Sequence, residues 1–277
     1  MNGHSGRIDR MGLERYKVTL AYDGTNFFGF QRQGETRTVQ LEVEAALRRL
    51  KWQEQTILSA GRTDSGVHAS GHVIAFNLDW AHGTERLGRA LNANLPEDVA
   101  VKAIEVVRAD FHPRYDARAR CYHYHVQYAR ERDPLRDRYT WRFWPPCELE
   151  RLQAAARLLH GTYDFAAFGT PPRPGGSTIR TVFEAGWFGQ EERLARFEVT
   201  ANAFLYHMVR RMVFVQVLIG QQRLSLEALQ EALAEPKTAN LPPGLALPQG
   251  LNLKEVFYAE TMDCEHGGHR PVIDNDE

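Results

Sequence analysis

Ile57-Leu58-Ser59-Ala60-Gly61-Arg62-Thr63-Asp64-Ser65-Gly66-Val67-His68-Ala69, followed by the alternating run His72-Val73-Ile74-Ala75-Phe76-Asn77-Leu78, reads as a strand, a glycine-bounded connection and a second strand. One carboxylate, Asp64, stands between Gly61 and Gly66, two residues after Arg62. Glycines let a backbone approach a ligand closely, and strands on both sides give a carboxylate a rigid base. Thr-Asp-Ser-Gly is equally an ordinary turn composition. Residue types alone therefore mark Asp64 as a candidate without saying what it does.

Working outward, Tyr16, Val18, Leu20 and Tyr22 alternate with Lys17, Thr19, Ala21 and Asp23, the period of a half-buried strand. Thr38 is placed to cap a helix carrying Val43, Ala46, Leu47 and Leu50 on one face. Strands at about 56–60 and 72–78 follow, then a helix from about Thr84 through Leu91 and a strand from Val99 to Val107. The order β-α-β-β-α-β over residues 14–112 is that of a ferredoxin-like (RRM-like) unit, a common platform for RNA recognition. Over residues 113–262, Tyr122, Tyr124, Val126 and Tyr128 share one face of a strand, and Glu148 to His160 is helical. Strands at about 180–188 and 193–201 precede an apolar helix from Phe204, a Ser225-capped helix ending before Pro236, and a last strand from Gly250 to Tyr258. Thr170 to Ser177 and Leu241 to Gly250 are loops. The expected class is α+β with largely antiparallel sheets, between disordered tails at residues 1–13 and 263–277.

With 277 residues, 43% of them hydrophobic, the chain can bury a sizeable core in two domains. No apolar stretch follows the opening residues, so a secretory signal is not expected. His207, Arg210 and Arg211 interrupt the most apolar segment, Phe204 to Gly220, which argues for a core helix over a membrane span. Cys121, Cys147 and Cys264 form neither a zinc pattern nor an even disulfide set, which suits a reducing cytoplasm. The eleven histidines show no metal-ligand spacing.

The formal charge of −1 argues weakly against a nucleic-acid partner, but it is unevenly distributed. Without the acidic tail from Asp263 the remainder carries 33 basic and 30 acidic residues. Arg114 to Arg138 holds seven arginines against four acids, and arginine exceeds lysine 29 to five over the chain. The planar guanidinium grips phosphate at two points, although a compositional bias would give the same excess.

Gly61-Arg62-Thr63-Asp64-Ser65-Gly66-Val67-His68-Ala69 resembles the signature of the tRNA pseudouridine synthase A family. Further matches follow in the family's order: Tyr22-Asp23-Gly24-Thr25, Gly29-Phe30-Gln31, Phe111-His112-Pro113-Arg114-Tyr115-Asp116-Ala117, Arg120-x-Tyr122-x-Tyr124, Asn202-Ala203-Phe204-Leu205-x-His207-Met208-Val209-Arg210 and Gly250-Leu251-x-Leu253. The resemblance spans roughly residues 15 to 260. It implies two ferredoxin-like units joined in one pseudouridine synthase fold. The implied activity is isomerisation of uridine at positions 38, 39 and 40 of the tRNA anticodon stem-loop, in the cytoplasm, by a homodimer that needs no cofactor or metal.

The implied chemistry breaks the bond from C1′ to N1, turns the uracil and rejoins it through C5. A carboxylate can serve as nucleophile or charge stabiliser at that junction, and Asp64 is the candidate. Whether it attacks C6 or C1′, or promotes loss of the base to a glycal, stays open. A buried carboxylate would hold its proton unless a cation faced it, and Arg210, among Met208, Val209, Met212 and Val213, is the implied partner. Arg211 competes for that place or for a phosphate. The resemblance also makes Tyr122 the aromatic partner of an extracted base, Leu251 its apolar partner on the other side, and Arg62 the residue that enters the RNA. Tyr124 and Tyr128 share the face of Tyr122, so an aromatic core ladder is the alternative there. Asp23 is expected to fix a turn beside the site. The chain departs from the family at Arg211 and Phe214, where Asn and Gly are usual.

Overall fold

The computed structural model describes residues 12–259 apart from residue 192. The expected tails at 1–13 and 263–277 lie outside the described residues, except for residues 12 and 13. The first half contains β1 (Glu14–Tyr22), α1 (Val39–Arg49), β2 (Leu58–Ser59), β3 (His68–Leu78), α2 (Gly83–Asn94) and β4 (Val99–Val107). The second contains β5 (Ala117–Tyr128), β6 (Trp141–Phe143), α3 (Leu149–Leu158), β7 (Gly161–Asp164), β8 (Ile179–Glu191), β9 (Leu194–Ala201), α4 (Met208–Gly220), α5 (Leu226–Ala234) and β10 (Leu251–Tyr258).

Local signals account for most of these elements. The alternation in β1 places Tyr16, Val18, Leu20 and Tyr22 in the core, each full burial of such a side chain contributing about 1.5–3 kcal/mol. Thr38 caps α1 by accepting from the Leu41 amide (3.3 Å), and Ser225 caps α5 by accepting from Ala228 (3.2 Å). Each cap satisfies an amide that the helix itself leaves unpaired, worth about 1 kcal/mol.

All strands join one sheet in the order β4-β1-β3-β10-β5-β9-β8-β7, with β2 on β3 and β6 on β5. The pairing is antiparallel except between β3 and β10 and between β5 and β6. The C-terminal strand β10 therefore lies between the two halves, with Asn252 and Leu253 opposite His68 and Ala69 on one side and Leu251 opposite Tyr124 on the other. This register brings the loop before β3, with Asp64, to the start of β10 and beside β5. Two hydrophobic clusters flank the junction, one built on Tyr16, Leu20, Leu47 and Phe76, the other on Trp187, Phe197, Met212 and Ile219. Among the described residues no helix is long and apolar enough to cross a membrane.

Boundaries differ from the sequence reading where backbone pairing outruns side-chain pattern. β3 starts at His68, four residues before the alternation, because Tyr22 pairs with Ala69 and β10 pairs with both His68 and Ala69. Gly71 sits where a Cβ would lie 2.2 Å from the Lys254 carbonyl oxygen, so the close strand approach needs a glycine. The strand expected at 56–60 contracts to Leu58–Ser59, and the short β6 and β7 carry too few residues to show a period. The helix expected from Phe204 begins at Met208, because His207 adopts a left-handed backbone (φ 66) and Tyr206 pairs with Thr170 instead.

Candidate active site

Asp64 lies in the connection from β2 to β3, and the segment from Tyr22 to Phe30 forms its cradle. The Phe27 carbonyl accepts from the Gly66 amide (3.3 Å) and the Ser65 hydroxyl (3.2 Å), while the Phe30 amide donates to the Thr63 carbonyl (3.1 Å). A Cβ at Gly24 would lie 2.0 Å from the Val67 carbonyl oxygen, and one at Gly29, where φ is +84°, 2.8 Å from that of Thr63. Beneath the loop the Thr63 hydroxyl meets Tyr22 (2.8 Å), whose hydroxyl meets His72 Nδ1 (2.9 Å). Full burial pushes the His72 imidazole down to about 3, so it is neutral in this network at neutral pH.

Asp23 fixes the adjoining turn, its Oδ1 accepting from the Thr25 amide (3.0 Å) and hydroxyl (2.5 Å). Burial raises its pKa, but hydrogen bonds from Thr25 and Tyr139 outweigh this and hold the carboxyl below the usual carboxylate range. Tyr139 donates to its Oδ2 (3.0 Å), and Arg138 Nε lies 3.2 Å from the same oxygen.

Above the loop opens a small cleft that brings all five sequence candidates together: Asp64, Arg62, Tyr122, Arg210 and Leu251. Arg210, in the first turn of α4, donates from Nη1 to Asp64 Oδ2 (2.9 Å) and from Nε to the Ala246 carbonyl (2.8 Å). Its side chain is only 12% exposed, so the guanidinium is held at two points and its charge is little screened. It faces a carboxylate 23% exposed in the same cleft. Tyr122 turns an edge to Phe204 (centroids 5.1 Å, 87°), and burial pushes its hydroxyl up to about 12. Tyr124 is fully buried and donates to the Leu247 carbonyl (2.6 Å), while Tyr128 packs edge-on against Phe143. Of the three tyrosines on that strand face, Tyr122 alone lines the cleft. Leu251 opens β10 almost fully buried at the cleft wall, and exposed Arg62 stands at its rim.

Two residues of the cleft were not singled out from sequence. His207 Nε2 lies 3.4 Å from Asp64 Oδ2, and its ring stacks on Tyr206 (3.6 Å, 28°). Burial lowers the His207 pKa, Asp64 opposes that shift and Arg210 adds to it. His207 was visible within the Asn202–Arg210 motif, but only its left-handed backbone turns it toward Asp64.

Other expectations resolve differently. Arg211 does not meet Asp64: its Nη1 donates to the carbonyls of Pro242 (2.6 Å) and Gly244 (2.9 Å), and its guanidinium lies 5.7 Å from the Phe214 ring. The two departures from the family pattern thus act together on one loop, the one whose Ala246 carbonyl holds Arg210. Within Arg114–Arg138, Arg120 is largely enclosed and donates to the carbonyls of Asn202 (2.8 Å), Arg114 (2.8 Å) and Ala60 (3.3 Å). Arg138 is engaged by Asp23, whereas Arg118, Arg130 and Arg132 are exposed. Burial raises the Cys121 thiol to about 11, which removes it as a thiolate nucleophile at neutral pH. A larger cavity of about 370 Å³ is lined by Asp23, His68, His125 and Asn252. His125 and Asn252 are strand neighbours of Tyr124 and Leu251, so this cavity opens on the opposite face of the sheet and excludes Asp64.

A family model described as tRNA pseudouridine synthase matches residues 19–116 and 155–259. The chain is 41% identical over 250 residues to proteins named tRNA pseudouridine synthase A from Streptococcus pneumoniae strains Taiwan19F-14, Hungary19A-6 and CGSP14, covering 90% of this chain and 100% of each relative.

Proposed function

The chain belongs to the tRNA pseudouridine synthase family, an isomerase family, and we propose that it converts uridine to pseudouridine at positions 38, 39 and 40 in the anticodon stem-loop of tRNA. The observation that carries this reading is the Asp64–Arg210 pair (2.9 Å) in a cleft walled by Tyr122 and Leu251. A binding module has no use for a carboxylate that repels phosphate, paired in a cleft with a guanidinium only 12% exposed.

In the proposed reaction the target uridine leaves its stack and enters the cleft, where the Tyr122 ring and Leu251 take its two faces and recover part of the lost stacking. Asp64 then acts at the sugar–base junction. Arg210, donating to Asp64 Oδ2, holds the carboxylate in position while the base displaces water from the cleft. Arg62, at the rim, enters the space that the flipped base vacates. The isomerisation is internally balanced: the C1′–N1 bond breaks, C1′ bonds to C5, the C5 proton leaves and N1 gains one. It calls for no cofactor, oxidant or metal.

We read residues 14–112 and 113–262 as two ferredoxin-like units. Support comes from the strand orders β4-β1-β3-β2 and β10-β5-β9-β8, which repeat one arrangement. We further propose a cytoplasmic homodimer whose two subunits share one tRNA, with the exposed Arg118, Arg130 and Arg132 facing phosphates. The test is incubation with tRNA tritiated at uridine C5. Release of label as water, lost in RNA lacking uridines 38 to 40, is the expected result; retained label or cleaved RNA overturns the reading. Light scattering that gives a monomer with and without tRNA overturns the dimer.

A further inference from the structure

We propose that Tyr206 is a stacking platform for the nucleobase adjacent to the uridine held in the cleft, a proposal that rests on the reading that this cleft takes tRNA. Single exposed aromatics are common on protein surfaces and mean little by themselves. Tyr206 differs in how firmly it is held. The residue is 55% exposed, yet its backbone is tied in both directions to Thr170, donating at 2.9 Å and accepting at 3.4 Å. Gly169 packs against that backbone so closely that a Cβ there would lie 2.5 Å from the Tyr206 carbonyl oxygen.

One face of the ring is already used. It lies on His207 at 3.6 Å with planes 28° apart, and His207 Nε2 reaches to 3.4 Å from Asp64 Oδ2. The left-handed backbone of His207 (φ 66) costs a non-glycine residue of order 1 kcal/mol, and it is what sets the two rings face to face beside the carboxylate. Stacking on that short ladder places a base at the mouth of the cleft, one ring away from Asp64's neighbour. The Tyr206 hydroxyl has no hydrogen bond among the described residues, so the exposed ring offers a face more than a polar group. Flipping one nucleotide strips its neighbour of a stacking partner, and a rigid aromatic face replaces it without regard to base identity. Such tolerance is what an enzyme acting at three successive positions requires.

The test uses the full chain and two anticodon stem-loop RNAs, with 2-aminopurine placed on the 5′ or the 3′ side of the target uridine. On wild type and Tyr206→Phe, emission from one of the two RNAs stays quenched by stacking. On Tyr206→Leu it rises, KM for the unlabelled stem-loop increases about 5- to 150-fold, the equivalent of one stacked base, and the melting temperature is unchanged. Equal emission and equal KM for wild type and Tyr206→Leu overturn the platform. Tritium release from C5-labelled RNA reports on the isomerase separately: an inactive wild type that still quenches through Tyr206 would remove the activity and keep the platform.

Discussion

Arg210 Nη1 lies 2.9 Å from Asp64 Oδ2 across 146 residues of chain, while Nε of the same guanidinium is held by the Ala246 carbonyl. The carboxylate comes from a turn in the first half of the chain and the cation from a helix start in the second. Their meeting depends on β10, which joins both halves in one sheet.

Asp64→Asn keeps size and removes charge. Isomerisation should become undetectable while tRNA binding persists. Because Arg210 is left poorly solvated without its partner, stability should also fall by about 1–3 kcal/mol. Arg210→Lys keeps the charge but cannot reach Asp64 and Ala246 together, and its turnover should drop at least about tenfold. Tritium release and tRNA gel shift measure these separately; near-wild-type turnover of Asp64→Asn would remove Asp64 from the mechanism.

At Tyr122 the neutral phenol is the working form, since burial keeps its hydroxyl protonated at neutral pH. Tyr122→Phe should retain tRNA affinity, whereas Tyr122→Leu should lose about 1–3 kcal/mol of binding. Slower turnover in Tyr122→Phe with unchanged affinity would show that the hydroxyl also moves a proton. Full activity of both variants would place the stacking role elsewhere.

The loop from Leu241 to Ala246 is carried by Arg211 and Phe214, the Phe214 ring filling the space beside Gly244. Arg211→Ala should free this loop and, through Ala246, loosen Arg210. The expected result is about 1–3 kcal/mol of lost stability and a lower kcat with KM for tRNA nearly unchanged. Calorimetry and steady-state kinetics decide it. A raised KM at constant kcat would instead make Arg211 a phosphate contact.

Acid should destabilise the fold through buried histidines. His72 is neutral when folded, at about 3, but takes up a proton near pH 6.5 when unfolded. The unfolded chain therefore binds more protons between these values. The contribution is fully present above pH 6.5 and is lost as pH falls toward 3, with a slope of about 1.4 kcal/mol per pH unit. His123, lowered to about 4, has the same sign. His72→Gln should flatten the fall in melting temperature between pH 6.5 and 4 in part; an unchanged profile would show that His72 is protonated in the fold.

Local order was legible in the residues themselves. The alternation of Tyr16 to Tyr22, the Thr38 and Ser225 caps and the glycines around Asp64 depend on backbone geometry within a few residues, and each appears where the pattern puts it. Asp64 itself stood out because a lone carboxylate between glycines is a local feature. Residue pattern by itself does not separate Arg210 from Arg211, and only the family resemblance implied Arg210: adjacent residues on a helix point about 100° apart, and the packing of α4 decides which one faces Asp64. A period of two likewise puts Tyr122 and Tyr124 on one face, but depth in the core, set by Leu247 and Trp141, closes one and leaves the other at the cleft. His207 and Tyr206 joined the site through a left-handed turn and a bridge to Thr170, which no periodicity encodes. Short-range periodicity, capping residues and turn composition thus determined the elements and the candidate carboxylate. Contacts between residues far apart in the chain, which depend on how whole elements pack, decided its partners.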